Sequence, residues 1–252
     1  MKHIEYFYVP PRNIKEDIIE FKGSELKHLT VVSRKKRGDD VYVVDGKGSV
    51  YFVVLEQVTK FSASGKICKR SRYAGEPNYK LTLAQAIPKG NRFDLVIEKG
   101  TELGVSKFIP LITERSIIRG SESKMTRWEN VAIAAMKQCT RCILPEITPP
   151  QSLNQLFAAK EIYDLKLIAH PERQQKSLAE IVINEKEKFK KISKIKSGII
   201  LIGPEGGFTT TEVEEAKSWK FKTFSLGQRR LRSETAGIVA SAIIMELIDN
   251  WS

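Results

Sequence analysis

The chain has 252 residues, 41% of them hydrophobic, which is enough for two modest domains or one large one and excludes a disordered chain. No apolar run approaches the roughly 18–20 residues of a membrane span, and three cysteines exclude a disulfide framework, so we expect a cytoplasmic protein without a signal peptide. The net charge of +12 favours a polyanionic partner such as nucleic acid, although a basic surface can also serve solubility alone.

The first 72 residues carry half of the excess charge, with 15 Lys and Arg against 9 Asp and Glu. Two runs rich in β-branched and aromatic residues, 41–44 and 50–55, flank the turn 45–48 and predict a hairpin. Residues 63–68 predict another strand, and short strands of this kind are typical of a small barrel. The Gly- and Pro-containing segment 73–79 predicts a linker, so we expect one domain at 1–72 and another at 80–252.

Beyond the linker, apolar strand-like runs alternate with helix-like runs. Strands are predicted at 81–86, 107–112, 165–169, 198–202 and 221–226, and helices at 92–103, 127–140, 178–191, 212–219 and 234–248. Near-continuous apolar strands that alternate with helices indicate a parallel sheet covered on both faces. The second domain is therefore predicted to have an α/β fold.

A glycine-rich loop follows the predicted strand 198–202 and runs Gly-Pro-Glu-Gly-Gly-Phe over residues 203–208. Glycines beyond the carboxyl end of a parallel strand let the backbone approach a ligand and expose its N–H groups. The loop matches neither GxGxxG nor the P-loop pattern, so it indicates a ligand other than a dinucleotide or a nucleoside triphosphate. A tight turn without any ligand is the alternative.

An arginine-rich turn precedes the last predicted helix and contains Arg229, Arg230 and Arg232. Ser233 is suited to cap that helix, and Glu234 is suited to meet its dipole. Cations are disfavoured at a helix N-terminus, so three arginines indicate that an anion such as phosphate shares the site. The alternative is that they pair with carboxylates or project into water.

These two loops resemble the RsmE family of SPOUT-class methyltransferases, which modify N3 of a uridine in 16S (small-subunit) ribosomal RNA. The resemblance rests on the loop at 203–208 and on Leu-Gly-x-Arg-x-Leu-Arg-x-Glu-Thr-Ala at 226–236. Supporting matches, spread over nearly the whole chain, lie at 28–29, 34–39, 86–90, 98–105, 110–116, 127–128, 138–141 and 145–146.

The resemblance implies a PUA-like β-barrel at 1–72, then a SPOUT α/β domain at 80–252 that ends in a deep trefoil knot. It also implies a homodimer that binds S-adenosylmethionine in the knot loops near the dimer interface. A third wall is expected at 169–172. The cofactor-binding residues so implied are Leu201, Ile202, Gly203, Pro204, Glu205, Gly206, Gly207, Ser225, Leu226, Gly227, Arg230, Leu231 and His170. We expect Gly206→Val to abolish cofactor binding.

Methylation of uridine N3 needs no metal, but N3 must lose its proton, so positioning and electrostatics are expected to supply most of the rate. Arg232 and Arg141 are candidates for holding phosphate or the anionic ring, because arginine stays charged. Glu234 is a candidate proton acceptor or only a helix cap. The CxxC formed by Cys139 and Cys142 lacks the further ligands that zinc needs, and no metal is expected.

The target base must be unpaired or flipped out, because Watson–Crick pairing hides N3. Basic residues are expected to hold the RNA backbone, namely Arg34, Lys35, Lys36, Arg37, Lys66, Lys69, Arg70, Arg72 and Arg229. Two alternatives remain open. One is a SPOUT methyltransferase that acts on tRNA or large-subunit RNA, and the other is a non-catalytic RNA-binding factor of ribosome assembly.

Overall fold

The computed structural model describes residues 5–116, 122–170, 176–190 and 196–249. Backbone proximity divides the chain into two compact units, Met1–Glu76 with Ile133–Leu144, and Pro77–Ala132 with Pro145–Ser252. The chain first passes from one unit to the other between Glu76 and Pro77, within the segment 73–79 that was predicted as a linker. Residues 133–144, which the sequence placed in the second domain, group with the first unit because Met136 and Cys142 pack there against Val44 and Val50.

The first unit is built on a six-stranded mixed sheet that forms half a barrel. Its strands are β1 (Tyr6–Tyr8), β2 (Ile14–Lys15), β3 (Ile18–Phe21), β4 (Asp40–Val44), β5 (Ser49–Val58) and β6 (Ala63–Arg72). They lie in the order β1-β4-β5-β6-β3-β2, with β1 parallel to β4 and the other pairs antiparallel. Helix α1 (Gly23–Lys27) continues into a π-helical turn, His28–Val32. The predicted hairpin is the β4–β5 pair.

The second unit is built on a parallel sheet of seven strands. Its elements are β7 (Lys80–Ala86), α2 (Arg92–Glu102), β8 (Lys107–Ile112), α3 (Glu122–Gln138), β9 (Glu146–Ile147), β10 (Gln151–Ser152), α4 (Leu153–Ala158), β11 (Leu165–Ala169), α5 (Leu178–Lys190), β12 (Ser197–Ile202), α6 (Thr210–Ser218), β13 (Lys222–Phe224) and α7 (Ser233–Asp249). The end of α3, from Ile133, belongs to the first unit. The strand order is β10-β8-β7-β12-β11-β13, and β9 also pairs with β8. Every strand pair in this sheet is parallel, which confirms the predicted sheet type.

Helices cover both faces of the parallel sheet, as its apolar strands require. Helix α7 packs against α2 and α5 and lies on β7 and β12. On the other face, side chains of α4 and α6 such as Leu156 and Val213 join a core with Ile199 and Leu201 of β12. Alternate residues of β12 therefore point to opposite helical layers. None of the described helices is long and apolar enough to cross a bilayer.

Most of the elements that the sequence did not predict are short. Strands β1, β2, β3, β9 and β10 have two to four residues each, and α4 has six. So few residues show no clear alternation or helical period, and their pairing is set by neighbours distant in sequence.

Candidate functional site

Three neighbouring strands of the second unit end at one edge of the sheet. Strand β11 ends at Ala169, β12 at Ile202 and β13 at Phe224, and β11 lies between the other two. The carboxyl ends of parallel strands are where ligands bind in open α/β sheets. A pocket of about 460 Å³ opens here, in the size range of small-molecule sites, roughly 300–1,000 Å³.

The first wall of the pocket is the glycine loop between β12 and α6. The Gly207 N–H donates to the Pro204 carbonyl over 2.8 Å, and Gly207 has a φ of 70°, which favours glycine. A Cβ on Gly203 would lie 3.1 Å from the Phe208 backbone nitrogen, so this position is tight. Thr209 then starts α6 through a capping box with Glu212.

The second wall is the turn between β13 and α7, in which Gly227 has a φ of 104°. Two hydrogen bonds tie this turn to the glycine loop. Arg230 Nη2 donates to the Glu205 carbonyl over 2.8 Å, and Ser233 Oγ donates to the Gly203 carbonyl over 2.7 Å. The His170 N–H donates to the Phe224 carbonyl over 3.1 Å and brings the end of β11 to the same place.

A buried glutamine supports both walls of the pocket through its hydrogen bond to Ser233, which in turn bonds to Gly203. Gln85, at the end of β7, is fully buried and its Nε2 donates to Ser233 Oγ over 3.2 Å. A Cβ on Gly237 of α7 would overlap the Gln85 amide, so a larger residue there requires the Gln85 side chain to move. Sequence reasoning missed Gln85. The signals were a polar residue in an apolar strand and a glycine inside a helix.

The structure brings together twelve of the thirteen residues expected to bind the cofactor. They line the pocket, and they are Ile202, Gly203, Pro204, Glu205, Gly206, Gly207, Ser225, Leu226, Gly227, Arg230, Leu231 and His170. Leu201 does not line it, because its side chain points into the α4–α6 core. Ala169 of the expected third wall lines the pocket, whereas positions 171 and 172 lie outside the described residues.

The lining consists largely of loop backbone and apolar side chains such as Ile202, Leu226 and Leu231. Backbone N–H and C=O groups can recognise the edge of a purine, and apolar side chains can cover its faces. The lining therefore fits an adenosyl group by shape and by backbone hydrogen bonds. Among the described residues, no cluster of His, Cys, Asp and Glu could hold a metal ion.

A group of charged side chains lies at the Glu205 end of the pocket. Arg92, at the start of α2, lies 3.7 Å from Glu205 Oε1 through Nη1 and 3.6 Å from Glu234 Oε1 through Nε. Glu234 is 6% exposed, and its Oε2 has no hydrogen-bond partner. Arg115 Nη1 donates to the Gly206 carbonyl over 2.7 Å and braces the glycine loop. Of this group, only Glu205 and Glu234 were singled out by the sequence.

The three expected catalytic residues are placed differently from one another. Glu234 lies in the first turn of α7 within the charged group. Arg232 is exposed and does not line the pocket, although Leu231 and Ser233 on either side of it do. Arg141 belongs to the first unit, where it is 5% exposed.

Arg141 is held by the carboxylate of Glu76. Its Nε and Nη2 donate to Glu76 Oε2 over 3.1 and 2.9 Å, and the backbone N–H groups of Cys142 and Ile143 donate to Oε1 over 2.7 and 2.9 Å. This buried ion pair gives Arg141 a part in folding the first unit, and Arg141 is not among the residues that line the pocket. Burial, with a smaller contribution from Glu76, raises the pKa of the Cys142 thiol to about 12. Neither Cys139 nor Cys142 forms a disulfide with another described residue.

The basic residues expected to hold RNA are mostly exposed, and in the first unit they fall into two groups. The loop group consists of Arg34, Lys35, Lys36 and Arg37, of which Lys35 is half-buried. Arg34 has a φ of 50°, an uncommon value for a residue other than glycine.

The strand group lies on β6, where a register shift against β5 leaves Cys68 as an extra residue. Because side chains alternate along a strand, Lys66 and Lys69 face one side of the sheet and Arg70 and Arg72 face the other. The four basic residues of β6 therefore do not form one continuous surface. Arg229, in the second unit, is exposed and lines the pocket.

Comparisons with known proteins agree with this fold. Residues 75–245 match the model of the RNA methyltransferase domain family. The ribosomal RNA small subunit methyltransferase E of Synechocystis sp. is 33% identical over 96% of this chain and 77% of its own length.

Two solved structures share the whole architecture. A Neisseria gonorrhoeae ribosomal RNA small subunit methyltransferase E, bound to S-adenosylmethionine, is 28% identical, with a TM-score of 0.83 over 97% of this chain and 98% of its own. A Legionella pneumophila methyltransferase with the same bound cofactor is 31% identical, with a TM-score of 0.81 over 96% of each chain. The chain therefore belongs to the ribosomal RNA small subunit methyltransferase E family of RNA methyltransferases.

Proposed function

We propose that this protein transfers the methyl group of S-adenosylmethionine to N3 of a uridine in 16S ribosomal RNA. The observation that carries the proposal is the pocket between the two glycine loops, in a chain whose solved relatives bind this cofactor. When bound, S-adenosylmethionine supplies a methyl group that is already electrophilic, because it is attached to a sulfonium. The task left to the protein is to bind and orient the uracil and to favour loss of its N3 proton.

The pocket residues divide this work by chemistry. The glycine loop at 203–207 and the turn at 225–227 present backbone groups at close range, which suits an adenosyl ligand. Ile202, Leu226 and Leu231 exclude water from the pocket. Glu205 and Arg230 join the two walls through the hydrogen bond between Arg230 and the Glu205 carbonyl.

The nucleotide is proposed to enter from the charged end of the pocket. Arg229 and Arg232 are exposed beside it and are suited to phosphate groups on either side of a flipped-out base. Glu234 is buried and is proposed to act as part of the charged group and not as a surface helix cap. The basic loop and strand groups of the first unit are proposed to hold more distant RNA backbone, each face of β6 meeting a different segment.

We also propose the family's finer architecture for this chain. The segment after β13 returns from the edge of the sheet to its centre, where α7 lies on β7 and β12. Arg230 and Ser233 of this segment donate hydrogen bonds to the glycine loop, as is expected of a chain threaded through a knot. The half-barrel sheet is proposed to be PUA-like. Helix α7 carries half-buried apolar side chains at Val239, Ala242 and Ile243, which support a homodimer.

Mass spectrometry of ribosomal RNA tests the function directly. A strain that lacks the gene is expected to lose N3-methyluridine from 16S RNA, and the wild-type gene, acting in the cytoplasm, is expected to restore it. Naked 16S RNA and assembled small subunits are then compared as substrates with purified protein. A modification lost instead from tRNA or 23S RNA would point to another RNA target. An unchanged modification profile with no cofactor binding would point to a non-catalytic assembly factor.

A further inference from the structure

The carboxylate of Glu234, beside the pocket, is buried and only loosely paired. Glu234 is only 6% exposed, yet no described residue donates a hydrogen bond to its Oε2, and Arg92 Nε lies 3.6 Å from its Oε1. A buried charged oxygen without a hydrogen bond is costly, by roughly 1–3 kcal/mol or more. The N-terminus of α7 offsets part of this cost through its dipole. Oε2 of Glu234 is therefore still able to accept a hydrogen bond.

The cation beside Glu234 is Arg92, which forms long ion pairs with two carboxylates and donates a hydrogen bond to neither. Its distances to Glu205 and Glu234, 3.7 and 3.6 Å, exceed the length of a charged hydrogen bond, about 2.7–2.9 Å. The side chain of Arg92 is 42% exposed. Two other arginines near the loop, Arg115 and Arg230, donate to loop carbonyls, whereas the described residues accept no hydrogen bond from Arg92. Arg92 is therefore positioned, and its donors remain available.

The position of Arg92 is unfavourable for local structure. It is the first residue of α2, where the helix dipole disfavours a cation by a few tenths of a kcal/mol or more. Glu205 and Glu234 come from the glycine loop and from α7, so two segments distant in sequence converge on this one guanidinium. Since Glu205 and Ser233 both line the pocket, a cation between Glu205 and Glu234 lies next to it.

We propose that Arg92 binds a carbonyl oxygen of the target uracil and stabilises the anion that forms when N3 loses its proton. Glu205 and Glu234 are positioning residues that orient the guanidinium. This inference rests on the proposed uridine N3 function and names the residue that makes N3 nucleophilic. The N3 proton passes to solvent water, N3 forms a bond to the methyl carbon, and the methyl–sulfur bond breaks to leave S-adenosylhomocysteine.

The chemistry of uracil explains why the site needs a cation beside the ring and does not need a proton acceptor in the plane of the ring. The lone pair of N3 lies in the ring plane, along the direction in which the proton leaves, so a base and a methyl donor cannot occupy that place together. The negative charge of the anion spreads onto the two flanking carbonyl oxygens, which lie to the side. A guanidinium beside one of these oxygens stabilises the anion, so the N3 proton is lost more easily, and N3 itself is not blocked.

Single-turnover methylation with two RNAs tests this proposal. The RNAs carry uridine or 5-fluorouridine at the target position, and fluorine makes the N3 proton more acidic. Arg92→Met is expected to lower the rate constant on uridine by about a hundredfold or more, the usual effect of losing an anion-stabilising donor. The loss on 5-fluorouridine is expected to be much smaller, and the S-adenosylmethionine Kd by calorimetry is expected to be unchanged.

Two further variants separate the charge of Arg92 from its structural effects. Arg127→Met removes another arginine that is ion-paired to α2, through Asp94, and is expected to keep the wild-type rate. Arg92→Lys keeps the charge without the planar fork and is expected to fall between wild type and Arg92→Met. A wild-type rate for Arg92→Met, or an equal loss on both RNAs, would overturn this inference alone. Wild-type methylation at an atom other than N3 would overturn the proposed function and this inference with it.

Discussion

Substitution of Gly203 by alanine is expected to weaken S-adenosylmethionine binding, because the added atom has no room. The new Cβ would lie 3.1 Å from the Phe208 nitrogen, 3.2 Å from the Gly207 carbonyl carbon and 3.2 Å from the Phe208 ring. Two of these neighbours are backbone, and the ring is buried, so none can turn away. The Gly203 carbonyl is also fixed by Ser233, so relief requires the loop itself to move.

The size of the effect follows from the cost of overpacking. One methyl group forced into a packed site costs about 1–3 kcal/mol, which corresponds to a rise of roughly 5–150-fold in Kd if the cost falls on the binding-competent loop. Calorimetric titration with S-adenosylmethionine measures this directly. Any part of the cost borne by the free protein appears as a lower Tm, by about 2–4 °C for each kcal/mol in a chain of this size.

Gly206→Ala is the matched control in the same loop. The sequence predicts that Gly206→Val abolishes cofactor binding, but alanine adds a smaller group. Among the described residues, a Cβ at Gly206 meets the flexible side chain of Arg115, at 3.4 and 3.6 Å, which is ordinary contact. We therefore expect a Kd close to that of the wild type for Gly206→Ala. Equal Kd values for the two variants, with equal Tm values, would refute the placement of the cofactor against Gly203.

Three other predictions concern the supports of the two units. In an ordinary helix, Gly237→Ala would be stabilising by about 1 kcal/mol, but here overlap with Gln85 is expected to lower the unfolding free energy by about 1–3 kcal/mol. Adding Gln85→Ala to the same chain is expected to restore most of this loss. A higher Tm for Gly237→Ala alone would contradict the packing. Glu76→Gln is expected to cost about 3 kcal/mol or more in denaturant unfolding, because it breaks a buried ion pair; a loss under about 1 kcal/mol would contradict this. At pH 8 iodoacetamide is expected to label Cys68 and spare Cys142, whose pKa near 12 keeps the thiol protonated; mass spectrometry showing equal labelling would be inconsistent with its burial.

The parallel sheet and the two glycine loops could be predicted because their signals are local. Strands buried on both faces are apolar along their whole length, and β8 and β11 begin and end at the predicted residues. A glycine with a left-handed φ, such as Gly207 or Gly227, is a backbone requirement that the sequence displays directly. Both signals depend on neighbours within a few positions.

Arg141 shows where such signals fail. It matched a short motif and carries a permanent charge, so the sequence favoured it for anion binding. Its charge is instead met by Glu76, which is 65 positions away in the segment predicted as a linker. Arg92 is the reverse case, because its significance depends on carboxylates 113 and 142 positions later. Ion pairs between distant segments leave no periodic trace in the sequence.

The construction of the pocket decides which experiments can probe it. Its walls are loop backbone and apolar side chains, so removing a side chain there takes away little that a cofactor would contact. Adding an atom is the more sensitive test, because the loop positions are fixed by Ser233, Gln85 and Arg230 through hydrogen bonds from other elements. The charged group around Arg92 behaves in the opposite way, since its effect depends on donors that truncation removes. Gly203→Ala, which adds an atom, and Arg92→Met, which removes donors, should therefore separate cofactor binding from activation of the uracil.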